Sequence, residues 1–284
     1  MSLGKILVPL DGSDQDEISL TTAIRAARPF NAHVSVLFAH PDPAEAMPII
    51  GVPLSAEAMS AVIDGNARIF RAKAKRIHDT MARVGAAERA HLVETPCREN
   101  AVTVSYREAT GYPPHVISSS AALSDLVVCA PAEGAPQVFE TAIDLILQSR
   151  RPVLLASSPP AAFQKVVIAW DDSTAVAKAV SAAMPFLEKA VIVELICVEQ
   201  AAGRSFDTDP AIDYLKAHGL SPSEVHLGRW DPLPHNMLTK LALEHNADLL
   251  VMGAFGHSRV RETFFGGVTN ETLYHPPLPV LLAH

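Results

Sequence analysis

The chain is poor in cysteine. Its 284 residues hold three, Cys97, Cys129 and Cys197, far apart and in no CxxC pair, so a disulfide framework and a cysteine zinc site are both excluded. Cys129 and Cys197 lie in apolar runs, as buried free thiols do, and the expected setting is a reducing compartment. Long apolar runs are also missing. Ala190–Val198 extends for about nine residues and contains Glu194, whereas a spanning helix needs ~20. Met1-Ser2-Leu3-Gly4 passes straight into Lys5-Ile6-Leu7-Val8, without the basic and apolar regions of a signal peptide, which makes the cytoplasm the expected location. Basic residues are in short supply: 23 Lys and Arg face 31 Asp and Glu, for a net charge of −8. This argues against non-specific nucleic-acid binding and against an anionic membrane surface. Several catalytic signatures are absent too. There is no GxxxxGK[ST], no GxSxG, no HExxH and no GxGxxG after the first strand, which removes P-loop NTPases, α/β-hydrolases and zincins and weakens a nicotinamide dehydrogenase. Twelve histidines are scattered. His235 and His245 share one expected helix but have no third ligand, so no metal site is expected.

A hydrophobic share of 49% is enough for a sizeable core, and the length fits two domains. An internal repeat divides the chain. Lys5–Ser13 resembles Lys165–Ser173 at an offset of 160, and Val34–His40 resembles Val191–Cys197 at 157. Pro114-His115 resembles Pro234-His235 at 120, Asp125–Val128 resembles Asp248–Val251 at 123, and Pro152–Ala156 recurs as Pro279–Ala283 at 127. The drop from 157 to 120 gives the first half 37 extra residues, within which the proline-bearing Pro41–Gly65 reads as a surface loop with a short helix. Ser157-Ser158-Pro159-Pro160-Ala161 has linker character, so the domains are placed at 1–157 and 163–284.

Each half alternates strand and helix. Ile6–Leu10, Val34–Ala39, Leu126–Cys129 and Val153–Ala156 read as strands buried on both faces. Helices are expected at Asp14–Arg28, with Ser13 or Asp14 as N-cap, and at Asn66–Val84, stopped by Gly85. In the second half they are expected at Thr174–Lys189 and Leu233–Asn246. The alternation implies a parallel sheet with right-handed crossovers and helices on both faces. Such sheets bind ligands beyond the carboxyl ends of their strands, so Asp11, Asp171, Val198 and Gly253 stand where a ligand would meet the chain.

Gly253 and Gly256 follow a buried strand, and Gly266-Gly267 precede the short helical segment Thr269–Tyr274. Glycines let backbone amides approach a ligand, successive amides form an anion nest, and a helix start adds free N–H groups. His257, Arg259 and Arg261 lie within the same stretch. Phosphate is the natural occupant; alternatively these glycines only shape a tight loop.

Gly253, two residues, Gly256, nine residues and Gly266 resemble the nucleotide motif of the universal stress protein family. The Asp-Gly-Ser turn, Ala247–Gly253 and the final Pro-Val-Leu-Leu strand extend the resemblance over both halves. The family usually has Ser or Thr where this chain has Gly267, so a hydroxyl donor is missing and only the amide remains. The resemblance implies an α/β fold of two tandem Rossmann-like (adenine nucleotide alpha hydrolase-like) domains, each a five-stranded, mostly parallel sheet. It implies ATP as ligand, with or without Mg²⁺. Asp171 matches the ribose- and adenine-side aspartate, and Val198 the position whose backbone reads adenine. Met252 and Gly253 would line the cleft, and Gly256, Gly266, Gly267, Val268 and Thr269 would cradle phosphates, with His257 nearby. Trp170 departs from the small residue common before the aspartate and is expected in the core. The closing strands Pro152–Ala156 and Pro279–Ala283 are expected to pair the halves as an internal pseudo-dimer; a homodimer stays open.

The first half reads differently. Ala130 and Glu133 stand for Gly253 and Gly256, Phe139 and Glu140 for Gly266 and Gly267, and Pro131 removes an amide donor. A triphosphate is not expected there. Asp11 remains, with an ordinary turn role, which leaves a neutral ligand or an adenosine moiety open. The expected function is that of a cytoplasmic, ATP-binding, regulatory stress-response module. No residue supplies a convincing general base, so enzymatic activity is at most weak ATP hydrolysis. The alternatives are a scaffold without nucleotide that acts through protein partners, and a slow ATPase.

Overall fold

A computed structural model describes residues 2–46, 55–131, 141, 144–200, 206–230, 237–254 and 276–284. The short apolar runs form strands. In the first half these are β1 (Lys5–Pro9), β2 (His33–His40), β3 (His91–Leu92), β4 (Thr103–Thr110), β5 (Leu126–Cys129) and β6 (Val153–Leu155). In the second half they are β7 (Lys165–Trp170), β8 (Ile192–Gln200), β9 (Ser223–Trp230), β10 (Leu249–Gly253) and β11 (Val280–Ala283). All join one sheet in the order β3-β4-β2-β1-β5-β6-β11-β10-β7-β8-β9. Setting aside the two-residue edge strand β3, which adds to the expected five, each half has its strands in the order third, second, first, fourth, fifth.

Every strand pair is parallel except β6 with β11, which joins the halves. There Leu154 faces Leu281, while Leu155 faces Val280 and Val153 faces Leu282. Because Val153, Leu154 and Leu155 correspond to Val280, Leu281 and Leu282 in the repeat, the contact is self-complementary in the manner of a twofold interface. Each half thereby covers the edge that the other would expose.

The helices are α1 (Asp16–Ala27), α2 (Ala56–Glu88), α3 (Pro113–Ala121), α4 (Thr174–Leu187), α5 (Asp209–Ala217) and α6 (Met237–Glu244). Side-chain alternation along the strands divides the interior into two cores. Ile6, Val8, Val166, Ile168 and Leu281 point to the face covered by α1, α2, α4 and α5. Leu7, Val167, Val280 and Leu282 point to the face covered by α3 and α6. Both cores run through both halves. Phe186 adds a bridge, meeting Phe30 edge-on with ring centroids 6.0 Å apart and Phe163 at 5.3 Å. Arg25 donates to the linker carbonyl of Pro159 at 2.9 Å.

Three helix boundaries differ from the sequence reading. Helix α1 begins at Asp16 after Gln15, without a side-chain cap; Asp16 instead binds back to the amides of Asp11 and Gly12 at 3.2 and 2.9 Å. Helix α2 begins at Ala56 under a Ser55 cap and runs through Gly85 to Glu88, so the short helix expected within Pro41–Gly65 is continuous with the one expected from Asn66. Gly85 is buried in the helix with space for the Leu92 side chain, and left-handed Arg89 ends α2 instead. Of Leu233–Asn246, residues 233–236 lie outside the described residues. No described helix is long and apolar enough to cross a membrane.

Candidate functional site

Strand order reverses between β1 and β5 in the first half and between β7 and β10 in the second, the position at which open α/β sheets hold ligands. The repeat places similar turns there. Asp11 Oδ1 accepts from the Ser13 amide at 3.0 Å, and Asp171 Oδ1 accepts from the Ser173 amide at 3.1 Å. Between each pair lies a left-handed residue, Gly12 at φ 79° and Asp172 at φ 57°. A second pair of aspartates, unassigned in the sequence reading, clamps the strand starts. Asp125 accepts from the amides of Gly4 and Lys5 at 2.8 and 2.9 Å, and Asp248 from those of Gln164 and Lys165 at 2.9 and 2.8 Å. The repeated Asp-Leu-(Val/Leu)-Val stretch carried that signal.

In the second half, Ser173 Oγ accepts from the Val176 amide at 3.1 Å and caps α4. Gly253 ends β10 against that helix start. A Cβ on Gly253 would fall 2.5 Å from Val176 N and 2.9 Å from Ala175 C, so glycine is required for the strand to pass beneath the helix. Met252 has its side chain buried, at 4% exposure, in the core of the α3 and α6 face. Val198 lies in β8 beside β9, where the register is irregular between Val198 and Gln200, a feature common next to binding sites. Asp171, Val198 and Gly253 thus stand at the ends of β7, β8 and β10. Gly256, His257, Gly266, Gly267, Val268 and Thr269 lie outside the described residues, as do Arg259 and Arg261. Trp170 is a core residue, 7% exposed, with Nε1 donating to the Asp207 carbonyl at 2.9 Å.

In the first half the corresponding position opens into a cavity of about 510 Å³. Leu10 and Asp11 after β1, Phe38 and His40 of β2, and Cys129 to Pro131 at the end of β5 line it. Phe70 and Lys73 of α2 and Ile117 of α3 close it from the sides. Glu133, Phe139 and Glu140 lie outside the described residues. Asp16, which the sequence reading passed over, is 4% exposed and accepts from the amides of Asp11 and Gly12 at 3.2 and 2.9 Å. Burial, reinforced by neighbouring Asp11, raises its pKa to about 6 against the opposing pull of those amides and Arg76. In the second half, apolar Val176 takes the place of Asp16. Burial also pushes the Cys129 thiol up to about 12, so it stays neutral. His40 stacks on Phe70 with centroids 4.7 Å apart. Its ring nitrogens meet the Pro41 carbonyl and Glu108 Oε1, each at 2.8 Å.

Other titratable groups serve the fold. Burial works against the Glu194 carboxylate, but its bonds to Lys165 and His245 outweigh burial and hold its pKa down. His33 bridges Thr103 and Ser105 at 2.8 and 2.9 Å, and burial, with Lys5 nearby, lowers its pKa. His235 lies outside the described residues. Among the described residues no three His, Cys, Asp or Glu side chains gather as a metal site.

A sequence profile describing the universal stress protein family matches residues 126–284. No curated protein sequence matches the chain. Among solved structures, a universal stress protein from Archaeoglobus fulgidus is similar at 16% identity and a TM-score of 0.68, covering 99% of this chain and 96% of its own. A functionally unknown protein from Pseudomonas aeruginosa is similar at 15% identity and a TM-score of 0.57, covering 99% of this chain and 92% of its own. At such identities the likeness is one of fold.

Proposed function

The chain belongs to the universal stress protein family, and from that premise we propose that it is a nucleotide-binding regulatory module of the cytoplasm. It has two domains, at 1–157 and 163–284, and ATP, with or without Mg²⁺, is held by the second. The observation that carries the reading is the geometry at Gly253. It ends β10 against the capped start of α4, with Asp171 across the strand-order reversal, and it opens the Gly-x2-Gly-x9-Gly spacing. Asp171 and the Val198 backbone face the ribose and base, and Gly253 leads into the stretch whose Gly256, His257, Gly266, Gly267, Val268 and Thr269 hold the phosphates. With no general base assigned, the nucleotide acts as a signal and turnover is slow or absent.

Calorimetry with ATP tests this reading. The wild-type chain is expected to bind one nucleotide, and Gly256→Glu, which adds a carboxylate to the glycine motif, is expected to lose it. No binding by wild type, or equal binding by both proteins, overturns the reading. Mass spectrometry of the purified protein for retained nucleotide gives an independent check.

A further inference from the structure

The first-half cavity sits where sheets of this strand order take ligands, yet its chemistry is the reverse of a phosphate site. A turn offers an anion its N–H groups, and five lining residues, Pro9, Pro41, Pro113, Pro114 and Pro131, have none to give. In the β1–α1 turn the three amides from Asp11 to Ser13 are already engaged. Asp16 takes the amides of Asp11 and Gly12, and Asp11 Oδ1 takes that of Ser13. The chain's own carboxylate fills the place of an incoming anion. His40 has both ring nitrogens engaged, by Pro41 and Glu108. Lys73 lines the wall with two carboxylates, Asp11 and Asp16, so the local charge does not favour a polyanion.

The remaining wall is apolar and partly flat. Leu10, Phe38, Ala39, Phe70 and Ile117 line it, and the stacked His40 and Phe70 rings form a shelf. Asp11 Oδ2 has no partner among the described residues. The volume falls within the ~300–1,000 Å³ of small-molecule sites. We infer that this cavity is a second ligand site, separate from the nucleotide site proposed for the other half, for an uncharged, flat, apolar molecule carrying an N–H or O–H donor for Asp11. Asp16 and the prolines are the selectivity element that rejects phosphate.

N-Phenyl-1-naphthylamine, neutral, aromatic and bearing one N–H, is a suitable probe because its fluorescence rises on leaving water. Titrated onto the full chain, it is expected to saturate at one per chain and to resist displacement by millimolar tripolyphosphate. Ala39→Phe and Ile117→Phe place added bulk in the cavity from two different walls. Each is expected to weaken the dye about tenfold or more, with thermal melts establishing which variants fold. ATP binding by the folded variants is expected to match wild type. Absence of saturable dye binding, equal dye binding by a folded variant, displacement by tripolyphosphate, or loss of ATP together with the dye each overturns the inference. Failure of ATP to bind wild type, with the dye behaving as expected, counts against the nucleotide reading alone.

Discussion

At the scale of single residues, Asp16 and Gly253 mark how the two halves diverged. Asp16 is a buried carboxylate whose proton is lost near 3.8 in the unfolded chain and near 6 in the folded one. Between those values the folded state holds the extra proton. The contribution of this group to stability is therefore complete below about pH 4 and is lost as pH rises through about 6. Relative to Asp16→Asn, wild type is expected to lose ~3 kcal/mol of stability between about pH 4 and pH 7, read from urea midpoints at both values. An unchanged difference would contradict the burial argument. Gly253→Ala meets backbone within 3 Å and is expected to cost ~1–3 kcal/mol as an overpacking change, measured by thermal melting. At the matching position the first half already carries Ala130.

At the scale of elements, the same Asp-x-Ser turn starts two helices differently. Ser173 caps α4, whereas α1 has no side-chain cap and Asp16 binds backward into the turn. Ser173→Ala is therefore expected to cost ~1 kcal/mol. Ser13→Ala is expected to stay within ~0.5 kcal/mol, a contrast that paired denaturation curves would show. The longest element, α2, was only partly legible. Its Asn66–Val84 portion has a helical composition, but the segment before it reads as a loop with a short helix because prolines precede the Ser55 cap. Gly85 reads as a stop from composition alone; in the fold it stays helical, with Leu92 packed beside it, and the helix ends at left-handed Arg89.

At the scale of the whole molecule, the β6–β11 seam turns two sheets into one. Leu154 and Leu281 face each other there, fully buried. Leu154→Ala is expected to cost ~2–5 kcal/mol while leaving a single unfolding transition, because both cores continue across the seam. Two well-separated transitions in wild-type urea curves would contradict that continuity.

The sequence by itself determined the repeat, the strands, the turns after β1 and β7, the buried thiols and the core position of Trp170. All of these depend on local chemistry: a period of two, a turn aspartate, an apolar run. It also carried the glycine spacing on which the nucleotide reading depends. Tertiary structure alone decided that α2 folds back so that Phe70 and Lys73 close a cavity over Asp11. It also decided that Asp16 turns into the first-strand loop, and that Gly253 lies beneath the start of α4. These contacts join residues far apart in the chain, and their geometry is set by packing helices onto a twisted sheet. No local pattern encodes it.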